Sequence, residues 1–323
     1  MTRYVAIVGC GQMGARRAAA VAALPGWSVA AAVDPDLAAA ARLAPPDRCY
    51  PSWDALNSAV HLDAAIIGVP TAFAAPLTRA ALSRGLHVLC EKPPATRPDE
   101  LAGLDALARE RGRVLKYGFD HRHHASVRAA QAVVADGSLG PLRAARGLYA
   151  KSSLGAPGSW RVDPARSGGG ILLDQGIHLL DLLRLFVGEL TTKHALRDGP
   201  PGSETGVMGL LEGPHGEPVQ LQSSAREWPH RFRLELIFAR GALTLDGLLT
   251  SSRSYAPETL IVHRPGAEPT RQVFTEDLAV AHDTREFANA VESGAPITAG
   301  QYADATAALT LVHAIYAACD RVT

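Results

Sequence analysis

Short apolar runs alternate with helical patterns through the first 120 residues, and this alternation constrains the fold more than any other feature of the chain. Runs at 4–8, 28–33, 64–69, 86–89 and 114–117 are β-branched or leucine-rich and lack strict alternation. Strands buried on both faces of a parallel sheet read this way. Helical patterns over 13–24, from 35, over 74–84 and over 98–111 separate them. Strands alternating with helices predict βαβ units and a doubly wound parallel sheet. The order then changes. A helix is predicted over 126–136, a strand over 142–149 and a helix over 173–187, with a Gly/Pro/Ser-rich segment at 152–170. Strand patterns follow one another at 207–211, 219–224, 231–239, 242–245, 259–263 and 272–275, and helices over 279–293 and 301–319 end the pattern. Strands in succession predict antiparallel pairing. The expectation is an α/β domain at 1–120 and an α+β domain with a largely antiparallel open sheet at 121–323.

Composition narrows the function classes. Of 323 residues, 47% are hydrophobic and 20% charged, which excludes wholesale disorder. Lys plus Arg equals Asp plus Glu at 32 each, so the basic excess of a nucleic-acid binder is missing. No run approaches the roughly 18 apolar residues of a membrane span. The apolar stretch at the start is too short for a signal peptide. Cys10, Cys49, Cys90 and Cys319 are scattered and form no CxxC pair. A cytoplasmic protein without nucleic-acid or membrane partners is expected.

Gly9-Cys-Gly11-Gln-Met-Gly14 follows the first predicted strand and opens the first helix. In that context GxGxxG marks a dinucleotide site: Gly9 for the tight turn, Gly11 for approach to a pyrophosphate, Gly14 for close packing of helix on strand. The helix N-terminus offers its N–H groups to phosphate. Asp34 ends the second strand, where an acid meets the adenosine ribose hydroxyls. No Arg or Lys follows it directly, which favours NAD over NADP. The competing reading is that Asp34 caps the next helix. Glu91-Lys92-Pro93 follows the fourth strand, at the carboxyl edge where such sheets bind ligands. Asp174 and His178 stand four apart on a predicted apolar helix and share one face. Histidine exchanges protons near neutral pH, and a neighbouring carboxylate can orient it. His121-Arg-His-His124 lacks a further ligand at metal spacing, so no metal site is expected.

These motifs, in this order, resemble the Gfo/Idh/MocA oxidoreductases. The resemblance covers most of the chain and rests on the glycine motif, Asp34, Pro70-Thr71, Glu91-Lys92-Pro93, Gly118-Phe-Asp-His-Arg122 and Gly168-Gly169-Gly170 through Asp174 and His178. It implies a Rossmann domain followed by a substrate domain whose open sheet pairs copies into a homodimer or homotetramer. It places Gly9, Gly11, Gln12, Met13, Gly14, Asp34, Pro70, Thr71, Glu91 and Lys92 at the cofactor. Lys92, Asp174 and His178 become the catalytic set. Asp120, Arg122, Trp160 and Arg161 join that set at the substrate. Ala74 and Asp120 depart from residues common in the family at those positions. The implied reaction moves a hydride between NAD and a ring hydroxyl or ketone of a sugar, sugar nucleotide, aminoglycoside or cyclitol. Either His178 or Lys92 serves as the base, and Asp174 orients one of them. Two other classes compete: a glycosidase that recycles its NAD, and a non-catalytic NAD-binding regulator.

Overall fold

The structure is a computed structural model that describes residues 2–56, 58, 60–200, 202–250 and 252–320. The chain divides into two compact units, Met1–Asp120 with Val280–Thr306, and His121–Ala279 with Ala307–Thr323. No helix among the described residues is long and apolar enough to cross a membrane.

The first unit is built on six parallel strands: β1 (Arg3–Val8), β2 (Trp27–Val33), β3 (Cys49–Tyr50), β4 (Ala64–Ile67), β5 (His87–Glu91) and β6 (Leu115–Gly118). Their order is β3-β2-β1-β4-β5-β6. The order reverses direction between β1 and β4, and the carboxyl ends of those strands frame the crevice where such sheets take ligands. Helices α1 (Gln12–Ala22), α2 (Leu37–Ala40), α3 (Thr71–Ser83) and α4 (Leu104–Glu110) make the connections. Strands β4 and β5 are buried throughout, as their uninterrupted apolar runs require. The helix predicted over 98–111 is broken: a 3₁₀ turn, Pro98–Leu101, precedes α4, and Gly103 between them is left-handed at φ +78°.

Residues of α8 (Ala279–Ser293) pack with this first unit, although the sequence pattern groups 121–323 together. Buried charge holds them there. Arg17 on α1 reaches Asp283 at 2.6 Å, and Lys116 on β6 reaches Asp283 at 2.9 Å and Glu286 at 2.7 Å. Trp27 packs on Phe287, and its indole N–H donates to Glu292.

The second unit carries eight strands: β7 (Leu142–Ala150), β8 (Thr191–Asp198), β9 (Gly206–Glu212), β10 (Pro218–Ser224), β11 (Arg231–Phe238), β12 (Gly241–Asp246), β13 (Glu258–His263) and β14 (Thr270–Phe274). Their order is β14-β13-β12-β11-β7-β10-β9-β8. Every pair is antiparallel except β7 with β10. Burial alternates along β9 and β11, so one face is covered and the other open. Helices α5 (Ala125–Ala135), α6 (Pro164–Ser167) and α7 (Ile177–Val187) belong to this unit, and α9 (Tyr302–Cys319) follows α8.

Candidate active site

The cofactor motif lies between β1 and α1. Gly9 has φ +89°, and a Cβ there would overlap the carbonyl of Gly68 beyond β4. A Cβ on Gly14 would overlap the carbonyl of Gly9. Both glycines are therefore demanded by the fold. Gly11 is different: a Cβ on it would meet nothing within 4 Å. That space lies at the N-terminus of α1, which no side chain caps. Main chain open to an incoming group, beside a helix N-terminus, fits a pyrophosphate. Gln12 and Met13 form the first turn of α1, the former exposed and the latter half-buried.

Asp34, past the end of β2, accepts from Cys10 N–H at 2.7 Å and Asp36 N–H at 2.8 Å. Asp36, not Asp34, caps α2 through Ala38 and Ala39. Asp34 thus fixes the glycine loop to the end of β2. Burial, then the Asp34 charge, pushes the Cys10 thiol up to about 12 and keeps it inert. Pro70 precedes α3, and Thr71 is its buried first residue.

Glu91 ends β5 and accepts from Arg17 Nε at 2.6 Å; the Arg17 guanidinium is fully buried. Burial pushes the Glu91 carboxyl up despite Arg17, and Asp120 and Asp283 add negative neighbours. Glu91 thereby ties α1 to β5, a role the sequence does not announce. Lys92 follows it directly, half-buried, with a cis bond to Pro93.

The second unit holds Asp174 and His178. Their helix begins at the Gly168–Gly170 turn with a π turn, Leu172–Gly176, before α7. Such turns recur at functional sites. Buried Glu204 secures this start: its carboxylate accepts from Gly170 and Leu172 N–H at 3.1 and 3.2 Å, and its carbonyl from Ile171 N–H at 3.0 Å. Tyr316 donates to the same carboxylate at 2.7 Å.

Asp174 lies within the π turn. Lys151 Nζ approaches one of its oxygens at 2.8 Å and Arg161 Nε the other at 3.3 Å. The Arg161 guanidinium lies over the Trp160 ring, 4.6 Å from its centroid. His178 lies under His121, the rings 3.6 Å apart and 11° from parallel. His121 Nε2 is 3.2 Å from the Tyr149 hydroxyl. His124 stands edge-on to His121 and bonds Glu258 at 3.0 Å. Asp120 is buried at the start of the turn Asp120–His123. Arg122 in that turn grips Asp181 of α7 through two bonds, 2.8 and 2.5 Å, both groups buried. It is a strut for the helix that carries His178, a role beyond the substrate contact expected of it.

Residues 3–119 match the NAD-binding Rossmann fold of the Gfo/Idh/MocA oxidoreductases, and residues 127–244 match the C-terminal domain of the same family. The chain belongs to the Gfo/Idh/MocA family. It is an NAD(P)-dependent oxidoreductase. As a Gfo/Idh/MocA member it is 32% identical to the dTDP-3,4-didehydro-2,6-dideoxy-alpha-D-glucose 3-reductase of Streptomyces antibioticus, over 96% of this chain and 95% of that one. It is similar to KijD10, a 3-ketoreductase from Actinomadura kijaniata solved with NADP and TDP-benzene, at 25% identity and TM-score 0.85, covering 98% of each chain. It is also similar to GenD2 from gentamicin A biosynthesis, solved with NAD, at 25% identity and TM-score 0.83, over 99% of this chain and 94% of that one.

Several contacts of this Gfo/Idh/MocA protein lie beyond sequence reasoning. Lys151 stands 23 residues from Asp174, and no local spacing links them. Glu204 caps a helix from 34 residues away. His121 is visible in the sequence within Gly118-Phe-Asp-His-Arg122 and the histidine cluster, but its stacking on His178 is not. The full burial of Arg17 leaves no mark in the sequence.

Proposed function

We propose that this protein transfers a hydride between NAD and a ring hydroxyl or ketone of a sugar, with a nucleotide sugar as the favoured substrate. The observation that carries the reading is His178: a buried imidazole on a helix whose preceding turn presents a carboxylate held by two cations. When bound, the nicotinamide supplies the hydride chemistry, taking or giving both electrons at the substrate carbon. Gly11 and the uncapped end of α1 hold the pyrophosphate. Asp34 supports NAD over NADP, since an acid at the end of β2 suits free ribose hydroxyls.

In the oxidising direction a ring nitrogen of His178 accepts the hydroxyl proton. Lys92 Nζ donates to the same oxygen and stabilises its developing negative charge. Asp174, fixed by Lys151 and Arg161, accepts from a second substrate hydroxyl. Trp160 offers its face to the apolar side of a sugar ring or base, and Arg161 suits phosphate. Reduction of a ketone runs through the same groups, with His178 returning the proton. Similarity to the deoxysugar 3-reductase supports the nucleotide-sugar class.

Nicotinamide absorbance tests this. Purified protein is mixed with NAD⁺ and a panel of nucleotide sugars, free sugars, cyclitols and aminoglycosides, with NADP⁺ in parallel. Turnover with a nucleotide sugar and NAD⁺ is the expected result. Preference for NADP⁺ sinks the reading of Asp34. Retained turnover in both Lys92→Met and His178→Ala sinks the catalytic assignment.

We also infer a homo-oligomer. On the second sheet Leu196, Met208 and Leu210 are 52%, 56% and 51% exposed, around a depression of about 480 Å³. An apolar patch of this kind calls for a partner, and a second copy fits it. Sedimentation is expected to give a dimer or tetramer for wild type and a monomer for Leu210→Glu; a monomeric wild type refutes the inference. The four cysteines are unpaired, which supports a reducing, cytoplasmic compartment.

A further inference from the structure

Two imidazoles of the second unit lie face to face in a buried setting. His121 and His178 are 6% and 5% exposed, with ring centroids 3.6 Å apart and planes 11° from parallel. They come from different elements, His121 from the Asp120–His123 turn and His178 from α7. Tyr149 on β7 reaches His121 Nε2 at 3.2 Å.

We propose that His121 is a positioning residue for the reaction, its ring holding the plane of His178 and limiting the stacked pair to a single positive charge. This rests on His178 being the proton acceptor proposed above.

The argument is electrostatic. Two imidazolium rings stacked at this distance in a buried place repel strongly, because little water screens them. A neutral ring over a charged one attracts it instead. The pair therefore accepts a first proton readily and resists a second. Tyr149 biases where that proton sits. When its hydroxyl donates to Nε2, His121 is the neutral tautomer with its proton on Nδ1. The charge then falls on His178, backed by a neutral ring. A proton arriving from substrate meets a base whose cationic form is already accommodated.

The surroundings bear on this balance from each side. Asp120 precedes His121 in the chain and sets a buried carboxylate beside it. His124 stands edge-on to His121 at 5.1 Å, with the Glu258 carboxylate from β13 bonded behind it. Tyr255 packs on Tyr149, and His230 packs on Tyr255. Asp174, with Lys151 and Arg161, lies one turn before His178, and the Arg122–Asp181 pair lies one turn after it. None of these groups is stacked on the pair, and each is kept in His121→Phe.

The test is a pH titration of the histidine ring resonances in the whole protein by NMR, assigned with His121→Phe and His178→Phe. In wild type, the His121 and His178 signals are expected to move together in two steps separated by more than about one pH unit, as coupled sites do. In His121→Phe, which keeps a flat ring in the stack, His178 is expected to titrate in a single step. A wild-type His178 that titrates in one step, with a midpoint unmoved in His121→Phe, overturns the proposal. Should His121→Phe fail to fold, the wild-type titration alone decides. Turnover of His178→Ala separates this inference from the function it rests on. Lost turnover with uncoupled wild-type titrations defeats the role of His121 and leaves the function standing. Full turnover in His178→Ala defeats both.

Discussion

Replacing Arg17 by Met removes the cation at the centre of the first unit's buried charge cluster. In wild type it donates to Glu91 at 2.6 Å and to Thr284 at 2.9 Å, and it pairs with Asp283 at 2.6 Å. Asp283 keeps Lys116 at 2.9 Å. Glu91 is left facing Asp120 and Asp283, the negative neighbours that already act on it. The damage is therefore that of one broken buried pair, about 3–5 kcal/mol, not of two. At roughly 2–4 °C per kcal/mol, the melting temperature falls by roughly 6–20 °C. Urea unfolding of wild type and Arg17→Met at a series of pH values measures it. The deficit is expected to be greatest near neutral pH and to shrink on acidification, because protonating Glu91 removes the stranded charge. Arg17→Met/Glu91→Gln is expected to recover most of the loss, since replacing a whole buried pair is far cheaper than halving it. A deficit below about 1 kcal/mol, or one that does not shrink with acid, refutes this reasoning.

Gly11→Ala is expected to leave stability within about 0.5 kcal/mol while raising the NAD(P) Kd at least about tenfold, whereas Gly14→Ala, which sets a methyl against the Gly9 carbonyl, lowers the melting temperature. Calorimetry on both variants separates the two effects. Burial raises the Glu258 carboxyl, but the bonds and charge from His124 and Ser126 win and hold it at about 2 against an ordinary 4.5. Below 4.5 the unfolded chain binds the proton that the native state refuses, so this stabilisation is full above 4.5 and is lost as pH falls toward about 2. Glu258→Gln is expected to flatten that slope in acid unfolding curves and to cost roughly 2–3 kcal/mol at neutral pH. Lys151→Met frees one side of Asp174 and is expected to lower kcat by about 10- to 100-fold in steady-state assays, with little loss of NAD(P) affinity because Lys151 lies outside the cofactor unit.

Local pattern reached far in this chain. The uninterrupted apolar runs marked β4 and β5 as strands covered on both faces, and the glycine motif fell between β1 and α1, where its chemistry needs it. The alternating runs of β9 to β12 were equally readable. Strand β8 was not, because Thr191–Asp198 carries few apolar side chains and lies at the sheet edge. The π turn escaped notice, since its hydrogen-bond register leaves no mark in residue spacing. The i, i+4 spacing puts Asp174 and His178 on one face of a regular helix; the structure gives them different neighbours, Lys151 with Arg161 and His121. Those neighbours are joined by the fold rather than by spacing, and only a folded chain reveals them.

The return of residues 280–306 to the first unit bears on how the protein is made. A ribosome releases the six strands of that unit well before the carboxylates of Asp283 and Glu286 that neutralise Arg17 and Lys116. Until then two cations destined for the interior have no such partners, and the nascent sheet waits for the chain behind it. A gene fragment ending at residue 120 would reproduce that unfinished state permanently. The nucleotide-binding unit of this enzyme is thus begun before residues 121–279 are made and completed only after them.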